Sequence, residues 1–315
     1  MKIGFLFPGQ GSQATGMGKD LYEKYDSVKS IYEKVKSLTG IDVADISFNN
    51  QDNKLNETAY TQISILTMCL GILEILKEKN INAEISAGLS LGEYTALIYS
   101  NLLNIDDGIK IIEKRGRFMQ DYAPKGDWSM AAILGLEDDK VEQACKQISD
   151  GFVVPVNYNC TGQVVISGET DDVVKAGEVA KELGAKKVRV LNTSGPFHTE
   201  KLNKSADLLK EELEKIDFGK FSSKVAKNID GEFYKDSDDY VEILTKHITN
   251  PVRFSKALEL MLDNGIDTFI EIGPGKTLSG FVKRMNTDKE INILNVNDVD
   301  SLEKTINFVK ENENE

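Results

Sequence analysis

The order of apolar and amphipathic segments predicts an α/β protein with a small α+β unit inserted in it, and three features lead there. Short apolar runs alternate with helical stretches along most of the 315 residues. From about Asp127 to Leu191 the rhythm changes to strand, helix, two strands, helix, strand, the βαββαβ order of a ferredoxin-like unit. Gly88-Leu89-Ser90-Leu91-Gly92 then places a Gly-x-Ser-x-Gly turn between an apolar strand and a helix.

Taken in order, Ile3 to Phe7 reads as a buried strand stopped by Pro8-Gly9. Two helical stretches follow. The second, about Thr58 to Lys79, carries Ile63, Leu66, Leu70, Ile72, Leu73 and Leu76 at mixed three- and four-residue spacings, the pattern of a helix buried over much of its circumference. Ile85 to Leu89 reads as a strand and Leu91 to Ser100 as a helix with Ser90 at the join; another helix covers about Asp106 to Tyr122, capped by Asp106 or Asp107. The inserted unit comprises strand Ser129–Leu134, helix Asp138–Ile148, strands Phe152–Asn157 and Gln163–Ser167 across a Thr161-Gly162 turn, helix Asp171–Leu183 and strand Lys187–Leu191. Alternation then resumes with helix Lys201–Lys215, a strand near Val225–Asn228, helices around Asp239–His247 and Ser255–Asn264, strand Thr268–Ile272, helix Lys276–Met285, strand Ile291–Asn295 and helix Ser301–Glu311. The division expected is an α/β domain from residues 1–123 and 194–315, with a ferredoxin-like subdomain at 124–193.

Composition narrows the partners. With 40% hydrophobic and 28% charged residues the chain resembles an average globular protein. Its 38 Lys+Arg against 51 Asp+Glu give a net charge of −13, without the basic footprint that nucleic acid or an anionic membrane would require, so neither is an expected partner. No apolar run approaches the roughly 18 residues of a spanning helix, and the apolar start is too short for a signal peptide, so a cytoplasmic protein is expected. Cys69, Cys145 and Cys160 are far apart and only two histidines accompany them. Disulfides and structural zinc are therefore not expected.

The Gly-x-Ser-x-Gly context is that of a nucleophile elbow, in which a sharp turn lifts the Ser90 hydroxyl to the sheet edge and small neighbours leave room for backbone. The competing reading is a Gly-rich turn with an incidental serine. A serine nucleophile needs a base, and His198 and His247 are the only imidazoles. His198 follows the turn-forming Ser194-Gly195-Pro196-Phe197, where it could project into a cleft. His247 ends a helix, which suggests a C-terminal cationic cap. Nucleotide readings fail: Gly9-Gln10-Gly11-Ser12-Gln13 lacks its third glycine, and Gly275-Lys276-Thr277 lacks the first glycine of a P-loop.

Together, Phe7-Pro8-Gly9-Gln10-Gly11-Ser12-Gln13, Gly88 to Tyr94, Arg115-Gly116-Arg117-Phe118-Met119-Gln120, Gly195-Pro196-Phe197-His198, Asn250-Pro251-Val252-Arg253-Phe254 and Glu271-Ile272-Gly273-Pro274-Gly275-Lys276 resemble the malonyl-CoA:acyl carrier protein transacylase family of fatty-acid synthesis. The resemblance spans residue 3 to about residue 285 and implies a hydrolase-like α/β domain with an inserted ferredoxin-like subdomain and a cleft between them. It implies Ser90 as nucleophile, His198 as general base and the backbone N–H groups of Gln10 and Leu91 as oxyanion hole. It implies that Arg115 pairs with the malonyl carboxylate, a task suited to a planar guanidinium fork; alone, Arg115 would read as part of a solvated face with Lys110, Lys114 and Arg117. Phe197 matches the bulky residue of malonyl-selective members, and His247 and Asn250, which fall where the family's backbone orients the imidazole, are counted with Arg115 and Phe197 as expected substrate-binding residues. The family usually has histidine at Leu89 and commonly glutamine at His247.

The activity implied is ping-pong transfer of malonyl from malonyl-CoA to the phosphopantetheine thiol of acyl carrier protein, by a monomer without metal or redox cofactor. Acidic carrier proteins call for a local basic patch, and Lys181, Lys186, Lys187 and Arg189, or Lys276, Lys283 and Arg284, are the candidates. The rivals are a serine thioesterase or other hydrolase, a malonyl transferase of a polyketide pathway, and a catalytically dead carrier-protein-binding module.

Overall fold

The computed structural model describes residues 1–191, 195–285, 287–288 and 290–312. The expected junction at 193/194, with Ser194 of the turn before His198, lies outside them. The first strand, β1 (Ile3–Phe7), is buried throughout. Where one helical stretch was expected next, the chain makes α1 (Lys19–Lys24), α2 (Asp26–Thr39), α3 (Val43–Asn49) and a 3₁₀ segment at Gln51–Asn56. Left-handed Gly18, Gly40 and Asn50 and extended Tyr25 break it, since no helix continues through those conformations. Helix α4 (Thr58–Glu78) is long and apolar enough by length and composition to cross a membrane, a pattern the sequence reading missed, yet 83% of that window is buried inside the protein.

Next come β2 (Ile85–Gly88), α5 (Leu91–Tyr99) and α6 (Ile105–Asp121), with Asn104 rather than Asp106 or Asp107 as the cap of α6. The middle of the chain forms β3 (Trp128–Leu134), α7 (Asp138–Lys146), β4 (Val153–Cys160), β5 (Gln163–Glu169), α8 (Thr170–Glu182) and β6 (Lys187–Leu191). After it come α9 (Asn203–Leu213), β7 (Lys224–Ala226), α10 (Tyr240–Thr249), α11 (Phe254–Asp263), β8 (Thr268–Ile272), α12 (Thr277–Val282), β9 (Asn292–Val296) and α13 (Val299–Asn312).

Among the described residues the strands form two sheets. One is parallel, in the order β7-β2-β1-β8-β9, and its central strands are buried on both faces because helices cover both. In its register Phe7 lies beside Gly88, so β1 and β2 end together, at the carboxyl edge where such sheets bind ligands. The other is antiparallel, ordered β4-β5-β3-β6, with connectivity βαββαβ. The period of two along its strands splits two cores: Ala131, Ile133, Val164 and Ile166 pack under α7 and α8, whereas Met130, Ala132, Val156 and Val165 join the core of the parallel sheet. The two parts are also stitched by backbone, since Val252 donates to Val156 and accepts from Tyr158, each at 2.8 Å.

Candidate active site

At the end of β2 the chain turns sharply into α5, and Ser90 takes φ 54° and ψ −108°, a conformation L residues rarely adopt. The flanking glycines are required by close approach: a Cβ on Gly88 would stand 1.9 Å from the carbonyl carbon of Gly92, and one on Gly92 2.1 Å from the Phe7 oxygen. Asn228, just after β7, clamps the turn. Its Oδ1 accepts the Ser90 N–H at 2.8 Å and its Nδ2 donates to the Gly88 carbonyl at 2.7 Å.

The Ser90 Oγ lies 2.9 Å from Nε2 of His198. His198 is itself left-handed, with φ 59°, and its Nδ1 lies 2.9 Å from the His247 carbonyl oxygen. A carbonyl can only accept, so Nδ1 carries the proton and Nε2 presents its lone pair to the serine. Burial, and then the Arg115 guanidinium, lower His198 to about 4, which keeps the imidazole unprotonated near neutral pH, its Nε2 lone pair free.

Arg115 is not on a solvated face. It is 1% exposed; Nη1 donates to Gln62 Oε1 at 2.5 Å, Nη2 to Ser90 Oγ at 3.1 Å, and the guanidinium carbon stands 5.4 Å from the centre of the Tyr94 ring. Gln62 of α4, Arg115 of α6 and Ser90 thus converge at the floor of a cleft of about 690 Å³ between the two sheets. Gln10, Leu91 and Phe197 line the cleft too. Leu91 opens α5, so its N–H has no acceptor within the helix. Lys187 and Arg189 of β6 and Lys276 and Arg284 near α12 line the outer cleft, bringing both basic candidate clusters to one opening; Lys181, Lys186 and Lys283 are not in its lining. Glu271, buried on β8, accepts the N–H groups of Leu278 and Ser279 and so fixes the start of α12.

Two residues expected at the substrate lie elsewhere. His247 is 1% exposed behind His198, ring centroids 5.2 Å apart, and is not in the cleft lining. Nor is it a cationic cap: burial first, then His198 and Arg115, push it well below the ordinary histidine value, so it is neutral. The Asn250 side chain turns to the end of α10, donating to the Lys246 carbonyl at 2.8 Å and to Thr249 at 3.2 Å; only its backbone acts on His198. Conversely, Asn228, Gln62 and Glu93 went unnoticed in the sequence. The one available signal was Glu93, a charged residue inside the apolar run of α5.

Residues 4–302 match the acyl transferase domain family. The malonyl CoA-acyl carrier protein transacylase of Bacillus subtilis is 38% identical over 312 residues, 98% of each chain. The crystal structure of the malonyl CoA-acyl carrier protein transacylase from Clostridium perfringens superposes with a TM-score of 0.94 at 42% identity, covering 99% of this chain and 98% of that one. A malonyl-transacylase solved in complex with a type II PKS acyl-carrier protein superposes with a TM-score of 0.93 at 33% identity, covering 98% and 100%. Fold, cleft and these likenesses together define an acyltransferase. Near-full-length identity carries the assignment one level further, and the chain belongs to the malonyl CoA-acyl carrier protein transacylase family.

Proposed function

We propose that the protein moves malonyl from malonyl-CoA to the phosphopantetheine thiol of acyl carrier protein by a ping-pong route through malonyl-Ser90. The observation that carries this reading is the position of the Ser90 Oγ, 2.9 Å from a neutral imidazole nitrogen and 3.1 Å from a guanidinium nitrogen. His198 Nε2 takes the hydroxyl proton as Oγ adds to the thioester carbonyl, and the Gln10 and Leu91 N–H groups stabilise the oxyanion. Collapse expels coenzyme A thiolate, which takes the proton back from the imidazolium. The carrier-protein thiol then loses its proton to His198, its sulfur attacks the ester, and the departing Ser90 oxygen takes that proton back from the imidazolium as malonyl-carrier protein leaves. Arg115 holds the malonyl carboxylate by charge-assisted hydrogen bonds, and Phe197 restricts space beside the acyl α-carbon, a preference over methylmalonyl worth about 1–3 kcal/mol.

The same proposal takes residues 124–193 as a subdomain forming the outer wall of the cleft, and the basic rim as the docking surface for an acidic carrier protein. The protein acts as a monomer in the cytoplasm, which light scattering and cell fractionation test. A polyketide rather than a fatty-acid pathway is the second reading, favoured by the likeness to the type II PKS complex; transfer rates to the two kinds of carrier protein decide it. The central test is intact mass after brief exposure to malonyl-CoA without acceptor. A malonyl adduct on the wild type and none on Ser90→Ala is expected; free malonate without adduct indicates a hydrolase, and neither product a binding module.

A further inference from the structure

Behind the reacting pair lies a carboxylate that the mechanism does not use. Glu93, one turn along α5 from Ser90, is 1% exposed and is the one charged residue of that helix. Its Oε1 accepts the Asn228 N–H at 3.1 Å and the Tyr234 hydroxyl at 2.8 Å. Its Oε2 lies 3.1 Å from Nδ1 of the equally buried His247, a close contact without hydrogen-bond alignment, and neither atom has a hydrogen-bond partner.

Two chains of contact leave this one side chain. Through Asn228 it reaches the Ser90 N–H and the Gly88 carbonyl, the two backbone groups flanking the strained turn. Through the His247 ring it reaches the His247 carbonyl, the acceptor that sets the tautomer of His198. Nucleophile and base come from segments 108 residues apart, and their 2.9 Å separation needs both segments to hold still. A carboxylate buried where desolvation is costly, hydrogen-bonded through Oε1 and packed against the His247 ring through Oε2, is placed to hold both segments.

Resting on the catalytic reading of Ser90 and His198, we infer that Glu93 is a positioning residue that braces both from behind, with the His247 side chain as its link to the base. Glu93 touches neither substrate nor reacting atoms. It acts on the distance between them, and a displacement of about 1 Å at such a contact costs on the order of a hundredfold in rate.

The test is single-turnover acylation by malonyl-CoA, followed by rapid quench and intact mass, which reads both the maximal rate and the half-saturating concentration. His247→Phe keeps the backbone carbonyl but loses the contact with Glu93. Its maximal rate is expected to fall about tenfold or more, with half-saturation changed less than about twofold. His247→Asn, whose amide nitrogen stands near the Nδ1 position, recovers most of the rate. Tyr234→Phe also removes a buried partner of Glu93 but lies on neither arm, so it lowers thermal stability and leaves the rate within about twofold. His247→Leu replaces the Phe variant if the larger ring does not fold. Folded His247 variants that acylate as fast as wild type, or a Tyr234→Phe variant slowed as much as they are, overturn the inference. Absence of any adduct on the wild type overturns the assignment of Ser90 instead.

Discussion

The pH profile of acylation follows directly from the burial of His198. A free imidazole titrates near 6.5, whereas burial and the nearby Arg115 hold this one at about 4. At pH 5 a group titrating at about 4 is about 90% neutral, while one at about 6.5 would be only about 3% neutral, a roughly thirtyfold difference in available base. Acetyl-CoA is the better probe, because its acyl group carries no carboxyl that titrates in the same range. In Glu93→Gln, its single-turnover acylation rate between pH 5 and 8, corrected for folded fraction by circular dichroism, is expected to change less than about twofold. A limb near 6.5 that persists in Glu93→Gln refutes the argument; the Gln variant is needed because burial raises Glu93 to about 7. Arg115→Gln removes the second cause of the lowered value and shifts the limb upward. Stability has the same origin: His198 titrates lower folded than unfolded, so its contribution is full above pH 6.5 and is lost as pH falls from 6.5 toward 4. That loss reaches about 3 kcal/mol, readable as a falling urea midpoint over the same window.

Arg115→Ala is expected to cut kcat/KM for malonyl-CoA about tenfold to a hundredfold while affecting acetyl-CoA far less; unchanged selectivity removes the carboxylate-binding role. Asn228→Ala leaves the Ser90 N–H and the Gly88 carbonyl without their partner, at about 1–3 kcal/mol for each group, so urea unfolding and kcat both fall; stability unchanged within about 0.5 kcal/mol contradicts the clamp. Gly92→Ala drives a methyl group onto the Phe7 backbone oxygen, and recovery of a folded, active protein would show that the turn tolerates what the geometry forbids. Charge reversal of Lys276 with Arg284, or of Lys187 with Arg189, is expected to raise the KM for carrier protein about fivefold at low salt and less at high salt. No change from either pair means the carrier protein docks elsewhere.

Most of the element order was legible because local chemistry dictates it. Ile3–Phe7 is apolar on both faces and Pro8-Gly9 stops it; the succession of elements in residues 128–191 is regular enough that the βαββαβ connectivity was legible. Residues 9–58 were legible only as helical, because the breaks at Tyr25 and Asn50 depend on conformations that many sequences allow. Of the site, Ser90 announced itself through its glycines, and His198 through the scarcity of imidazoles. Arg115 did not: on helix periodicity alone it belongs with Lys114 and Arg117, and only the resemblance singled it out. His247 looked like a helix cap because helix position is visible in sequence while the neighbouring Glu93 carboxylate is not.

By itself, then, the sequence determined which segments become strands and helices, and which residue types are available to do chemistry, since both depend on neighbours within a few positions. Only the tertiary structure decided which of those groups meet. Gln62, Ser90, Arg115, His198 and Asn228 come from five segments, yet their contacts lie within 2.5–3.1 Å. Bringing Arg115 to 1% exposure, or a neutral His247 against Glu93, requires the packing of α4, α5, α6 and α10 to remove water from around them. Desolvation acts through what surrounds a group in space, and a linear order of residues does not contain that information.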